Sequence, residues 1–312
     1  MFDNLSDLLG DEPSFRVHRL RDENKVSGVT KWRTIHAPND PMRKLHSRMI
    51  VDLRLLQTKV HGRSPYATAV LPGSSPRRNV ERHRGKRYLY LLDLHSAYLY
   101  VKGGELAFIL CTLAAQRDGY LVADPSELSS THDFLKRYCL GTTGGLLTGA
   151  PASPDLFNIY AGELIDQRLA PRLKRWGLTY SRYIDDLTFS SNEPIGERKR
   201  RAIRDVIAAA GFDISYRKAK VYDLAKGPVQ INGIGLDLTG RTYVPRKYLG
   251  KVNGILHLAR YGMIKPAKVA GYMGVYWTAT PRSHQGRNRA ECHTLELFHD
   301  YQLHRNDWLI RS

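Results

Sequence analysis

Cysteine is scarce: three residues in 312 (Cys111, Cys139, Cys292), too few and too scattered for a disulfide framework or a CxxC metal clip. That usage points to a reducing compartment, so a cytoplasmic location is expected. Long apolar runs are missing as well. Tyr88 to Leu94 (YLYLLDL) is the most apolar stretch; it falls far short of the roughly 20 residues that span a bilayer, so no membrane partner is expected. The start, MFDNLSDLLGDE, has no basic segment followed by an apolar one, and no secretory leader is expected. No long-period repeat and no low-complexity linker divides the chain. Acid is in deficit: 30 Asp+Glu face 48 Lys+Arg, a formal net charge of +18. With 42% hydrophobic and 25% charged residues the composition is that of a globular protein, which excludes disorder, collagen and coiled-coil arrays. The positive excess implies a polyanionic partner, because neutralised phosphates release counterions. An enzyme that is merely basic is the alternative.

Several elements are legible from periodicity. Asp40-Pro41 predicts an N-cap and first helical residue, followed by Met42, Leu45, Met49, Leu53 and Leu56 at helical spacing. Residues 64 to 83 hold three prolines and a glycine and predict an irregular or extended segment. Tyr88–Leu94 reads as a buried strand. Ser153-Pro154 opens a helix through Leu169, and Tyr180–Ser190 reads as a strand pair. Ile203, Val206, Ile207 and Ala210 form one helix face that Gly211 can stop. Gln230–Val244 predicts a hairpin with Thr239-Gly240 at its turn. Beyond Pro245 the pattern is helical and basic, with 12 Lys+Arg against 4 Asp+Glu from Arg241 to Ser312. The central order of strand, helix, hairpin, helix, strand, hairpin predicts an α+β fold with a split βαβ antiparallel sheet and helices on one face.

Two acidic sites lie in apolar strand sequence: Asp93 after YLYLL, and Asp185-Asp186 inside YIDDL. Carboxylates in buried strands cost several kcal/mol unless compensated. A divalent cation is the usual compensator, and Mg²⁺ takes a few carboxylates plus substrate phosphates. The competing reading is an acidic hairpin turn, although such turns normally use Asn-Gly or Asp-Gly. Cys292, His293, His299 and His304 have no common zinc spacing.

RYIDDLTFS and DLHSAYLYV together resemble the palm of reverse transcriptases. Further segments are similar in the same order: Arg33-Thr-Ile-His-Ala-Pro38 to the fingers motif R-x-I-x-x-P, Gly149-Ala-Pro-Ala-Ser-Pro-Asp-Leu-Phe-Asn158 to G-A-P-x-S-P-x-L-x-N, and Gly211-Phe-Asp-Ile-Ser-Tyr-Arg-Lys218 to the strand whose lysine lies near the incoming triphosphate. Among these enzymes the retron reverse transcriptases are the most similar. Asn79-Val-Glu-Arg-His83 resembles their N-A-x-x-H box, and Ile231-Asn-Gly233 with Val244-Pro-Arg-Lys-Tyr248 resembles their V-T-G box and the stretch behind it. Four departures stand out: Val80 for alanine, Leu147-Thr148 where P-Q precedes the glycine, Ser96-Ala97-Tyr98 after the first aspartate, and Asn232 in the V-T-G box.

The resemblance implies a right-hand polymerase with an N-terminal region and fingers over 1–85, a palm over 86–240 with some fingers elements inserted, and a short basic thumb over 241–312. It implies two Mg²⁺ ions on Asp93, Asp185 and Asp186, with dNTP substrates. Arg33, Tyr98, Gly149 and Lys218 would meet the nucleotide, Tyr98 as the aromatic that excludes a ribose 2′-OH; the alternatives are helix-end packing for Arg33, a core aromatic for Tyr98 and a solvated strand lysine for Lys218. Arg77, Arg78, Asn79, Arg82, His83, Arg246, Lys247, Arg282, Arg287 and Arg289 would meet RNA; for the loop residues and the 282–289 segment, a solvated basic surface is the alternative. No RNase H, maturase or endonuclease domain is expected. The retron likeness further implies priming by a 2′-OH on a cognate structured noncoding RNA, a branched RNA-linked DNA product, an effector or toxin protein partner, and a part in antiphage defence. Two other readings remain open: another bacterial reverse transcriptase (diversity-generating, intron-derived or defence-associated), and an RNA-binding scaffold with a vestigial site.

Overall fold

Asn39 starts the first long helix, one residue before the predicted cap. Its Oδ1 accepts the Met42 N–H at 3.0 Å, and Pro41 then occupies the first turn, where a missing N–H costs nothing. The computed structural model describes residues 12–23, 30–61, 65–120, 122–217, 219–280 and 287–309. The chain forms two units, each assembled from three stretches: Met1–Pro72, Leu92–Gly177 and Gly196–Ala219 in the first, Gly73–Leu91, Leu178–Ile195 and Lys220–Ser312 in the second.

In the first unit, β1 (Phe15–Glu23) and β2 (Thr30–Pro38) make an antiparallel ribbon with Phe15 opposite Pro38. Helix α1 (Asp40–His61) buries Met42, Leu45, Met49, Leu53 and Leu56, as the spacing predicts. This stripe packs on α3 (Gly103–Arg117) and α5 (Ser153–Ala161), and α4 (Pro125–Tyr138) covers α3. Each fully buried Leu or Met contributes roughly 1.5–3 kcal/mol. Helix α5 continues through a wider π turn (Gly162–Asp166) into α6 (Gln167–Trp176). Helix α7 (Glu197–Ala209) buries Ile203, Val206 and Ile207 and stops before Gly211, whose φ of +82° suits glycine.

The second unit holds a four-stranded sheet in the order β4 (Thr179–Tyr183), β5 (Asp186–Ser191), β3 (Tyr88–Asp93), β6 (Lys220–Asp223). Strands β4 and β5 pair antiparallel with Tyr183 opposite Asp186, and β3 and β6 pair antiparallel with Tyr88 opposite Asp223. The expected α+β character and central strand pair are therefore borne out. Two expectations need correction. The 64–83 segment is not irregular throughout: α2 (Pro76–Glu81) forms because Ser75 Oγ accepts the Arg78 N–H at 3.2 Å and Pro76 fits the first turn. The predicted single hairpin is instead three strands, β7 (Val229–Ile231), β8 (Ile234–Leu236) and β9 (Thr242–Tyr243). Asn232-Gly233 makes the first turn, with φ of +46° and +81°, the pairing that favours Asn-Gly in tight hairpins.

Helices α8 (Arg246–Arg260), α9 (Pro266–Ala279) and α10 (Arg289–Leu309) complete the unit. Val80, Leu89, Ile231, Leu236, Val252 and Tyr276 share its core. Glu291, fully buried at the start of α10, accepts from Asn288 N, Arg241 Nη2 and Val244 N at 2.7–3.0 Å, while Asn288 Oδ1 accepts the Glu291 N–H. This reciprocal capping box ties the helix start to the segment leaving β9. No helix among the described residues is long and apolar enough to cross a membrane.

Candidate active site

The Tyr183–Asp186 segment is a two-residue hairpin loop. Ile184 has φ +58°, a left-handed conformation that is a genuine outlier for a β-branched residue and that hairpins normally assign to glycine. Beneath it the fully buried Arg182 donates from Nη1 to the Ile184 carbonyl at 3.3 Å. Asp185 therefore stands at the loop tip and Asp186 heads β5, both half-buried. This corrects the expectation of carboxylates in mid-strand burial: the strand ends keep them partly hydrated, so no full desolvation penalty arises.

Asp186 is held from the side. Asn232 Nδ2 donates to Asp186 Oδ2 at 2.7 Å, and Asn79 Nδ2 donates to Asn232 Oδ1 at 2.5 Å. The Asn232-Gly233 turn and helix α2 thus meet the acidic turn through one chain of amides. His83, just beyond α2, lies with no exposed surface between the two strands of the hairpin, hydrogen-bonded at 2.7 Å to Ser181 on β4 and to Ser190 on β5. Burial, reinforced by the nearby Arg82 and Lys86 charges, lowers its pKa to about 3, so the neutral ring donates from one nitrogen and accepts at the other.

Asn79 and His83 are therefore not loop residues turned to solvent. Their side chains are buried, that of Asn79 against Asn232 and that of His83 between β4 and β5, where the expectation had them meet RNA. Their neighbours differ. Arg77 donates to the Thr280 carbonyl at 2.9 Å and pairs with Glu81, Arg78 donates to the Gly73 carbonyl at 2.7 Å, and Arg82 is exposed. Arg246 and Lys247 are exposed in the first turn of α8, and Arg289 is exposed at the start of α10. Arg287 lies over the Trp277 ring at 5.5 Å. Lys218 and Arg282 lie outside the described residues.

Asp93, the last residue of β3, is half-buried, and its carbonyl accepts the Ser215 N–H at 2.8 Å. Tyr98 sits in a 3₁₀ turn (Ala97–Tyr100) with its ring 5.5 Å from that of the fully buried Phe157. Gly149 (φ +97°) touches β2: a Cβ there would stand 2.8 Å from Ile35 Cγ2 and 2.9 Å from the His36 carbonyl. Beside it the His36 N–H donates to the Thr148 carbonyl at 2.7 Å. Where the resemblance places a glutamine, Thr148 thus serves through its backbone. Arg33 is exposed on the same strand, opposite Leu20.

Sequence reasoning missed Asn232, Arg182, Ser181, Ser190 and Glu291. Only Asn232 carried a local signal, the Asn-Gly dipeptide. Among the described residues no three His, Cys, Asp or Glu side chains form a metal-holding group. The donors on offer are carboxylate oxygens alone, which is the hard ligand chemistry of Mg²⁺; that ion takes only one or two carboxylates and completes its shell with water and phosphate.

Residues 23–252 match the family described as reverse transcriptase (RNA-dependent DNA polymerase). The chain is similar to the retron Mx65 reverse transcriptase of Myxococcus xanthus, 31% identical over 218 residues, covering 66% of this chain and 48% of that protein. It is also similar to the retron Ec83 reverse transcriptase of Escherichia coli, 32% identical over 170 residues, covering 52% of this chain and 49% of that protein. The chain spans about half the length of these curated relatives. Among solved structures, telomerase from Candida albicans in complex with a fragment of telomeric RNA shares the fold, with a TM-score of 0.54 at 10% identity over 85% of this chain and 54% of that one. A match across most of the chain, with the YIDD hairpin inside it, leaves one assignment: the chain belongs to the reverse transcriptase family.

Proposed function

We propose that the chain is an RNA-directed DNA polymerase of the retron kind, copying a structured noncoding RNA from a 2′-OH primer into branched, RNA-linked DNA. The observation that carries this reading is the braced Tyr183–Asp186 turn, in which Arg182, His83 and Asn232 hold a strained loop that presents Asp185 and Asp186. The likeness to retron reverse transcriptases supports the subclass.

In this reading Asp93, Asp185 and Asp186 hold two Mg²⁺ ions. Mg²⁺ held there would supply electrostatic stabilisation of the attacking and leaving oxygens in phosphoryl transfer. Asn232 fixes the rotamer of Asp186. Arg33 clamps the triphosphate as a bidentate donor, Gly149 lets the backbone approach the nucleotide, and Tyr98 excludes a ribose 2′-OH. Lys218 neutralises or protonates the departing pyrophosphate. The exposed Arg82, Arg246, Lys247 and Arg289 contact the cognate RNA, as do Arg77, Arg78, Arg282 and Arg287. Fingers over 1–85, palm over 86–240 and thumb over 241–312 divide this work. An effector protein and a part in antiphage defence complete the retron reading.

The test is to express the chain with its flanking DNA and sequence the small DNA it produces. Branched DNA is expected from the wild type and not from the Asp185→Ala, Asp186→Ala double variant. Product persisting in that variant overturns the mechanism. Primer extension without any branched product overturns the retron subclass and leaves the polymerase.

A further inference from the structure

Helices α6 and α7 of the first unit meet along a basic groove that the proposed chemistry does not use. Arg168, Arg172 and Arg175 recur on α6 at spacings of four and three, and Arg198 and Lys199 stand in the first turn of α7. Two adjoining hollows of about 400 and 450 Å³ run between the helices and share Arg172 and Ala202. Val206 and Ala209 also line the first hollow, together with Asp205, which is the single carboxylate lining either of them.

The five cations have no carboxylate within ion-pair distance among the described residues, whereas Arg200 and Arg204 on the same α7 both pair with Glu197. Like charges three and four residues apart destabilise a helix. The α6 side of the groove keeps three such arginines, with Arg172 Nη1 donating to the Arg168 carbonyl at 3.0 Å, and an anion seated between the helices would reduce their mutual repulsion.

We propose that this groove seats the phosphate backbone of a base-paired RNA stem. Arg168 to Arg175 spans about 10 Å of helix axis, close to the screening length at physiological salt, so the charges act together on a run of phosphates. Duplex RNA is read by shape and backbone, while single-strand grooves interleave aromatics that stack on bases. The one aromatic lining these hollows, Trp176, is half-buried with Arg175 over its ring at 5.9 Å. The phosphate chemistry stands on the groove itself; only the source of the stem, the cognate RNA, rests on the polymerase reading above.

The test titrates the full chain, with EDTA and without nucleotides, against a fluorescent RNA hairpin of about 16 base pairs and unrelated sequence, at salt from about 50 to 200 mM. Arg172→Ala, Arg175→Ala, Arg198→Ala together are expected to lower the slope of log affinity against log salt by about two to three. The matching lysine triple keeps the slope, and primer extension on a short unstructured template stays at the wild-type rate. If the alanine triple loses its helical signal, the single Arg172→Glu, which lines both hollows, is expected to lower the slope in its place. An unchanged slope overturns the proposal. So does an equal loss for single-stranded RNA of the same length, or polyglutamate competing as well as the stem. Absence of primer extension in the wild type would remove the polymerase reading while stem binding is still measured.

Discussion

Asn232 Nδ2 donates to Asp186 Oδ2 at 2.7 Å, joining a carboxylate of the YIDD turn to a hairpin tip 46 residues further along the chain. The same amide accepts from Asn79 through its oxygen, so its orientation is determined at both ends. A free aspartate rotates about two torsions; this one is held by a donor that is itself held.

Replacing Asn232 by glycine removes the amide yet keeps a residue at ease at φ +46°. A hydrogen bond to a charged group is worth about 1.5–3 kcal/mol. Primer-extension kcat is therefore expected to fall roughly ten- to a hundredfold, with nucleotide KM little changed. Steady-state kinetics decide it, and a wild-type kcat would rule out the positioning role.

His83 should give the fold a proton linkage. Its folded pKa of about 3 lies below the ordinary 6.5, so the unfolded chain binds the extra proton. The stability from the neutral ring is complete above pH 6.5 and falls as pH drops toward 3, by about 1.4 kcal/mol per pH unit for one proton. His46, lowered by burial, adds in the same direction. Urea unfolding at pH 7, 6 and 5 should show this slope, and His83→Gln should flatten it by about one proton. An identical slope in the variant would refute the assignment.

Glu291→Gln should loosen the C-terminal helices. The amide would set a donor against the N–H of Val244 or Asn288 and leave Arg241 without its carboxylate. Losing one partner of a buried pair costs about 3–5 kcal/mol, and the lower end applies because Arg241 remains a third exposed. Chemical denaturation measures the loss; a change under about 1 kcal/mol would show that the pair is expendable.

Gly149→Ala should be poorly tolerated. The new methyl would press on Ile35 and the His36 carbonyl, and φ +97° is itself strained for alanine. A loss of about 2 kcal/mol or more is expected, together with weaker nucleotide binding if β2 moves. Thermal unfolding and nucleotide titration test both, and unchanged values in each would show that β2 adapts.

The sequence by itself determined the elements and the acidic residues. Helical spacing from Met42 to Leu56, the β-branched Tyr180–Ser190 pair and the Asp93 and Asp185-Asp186 positions are local patterns, and local patterns follow from side-chain geometry within a few residues. The tertiary structure alone decided which polar groups are inside. Asn79 and His83 sit among arginines and read as RNA-facing, yet each is buried against partners, Asn232, Ser181 and Ser190, that lie 98 to 153 residues away. The same limit hid Glu291, whose bonds reach 50 residues back to Arg241. Burial of a polar side chain depends on whether a distant partner arrives to satisfy it, and no window of neighbouring residues contains that information.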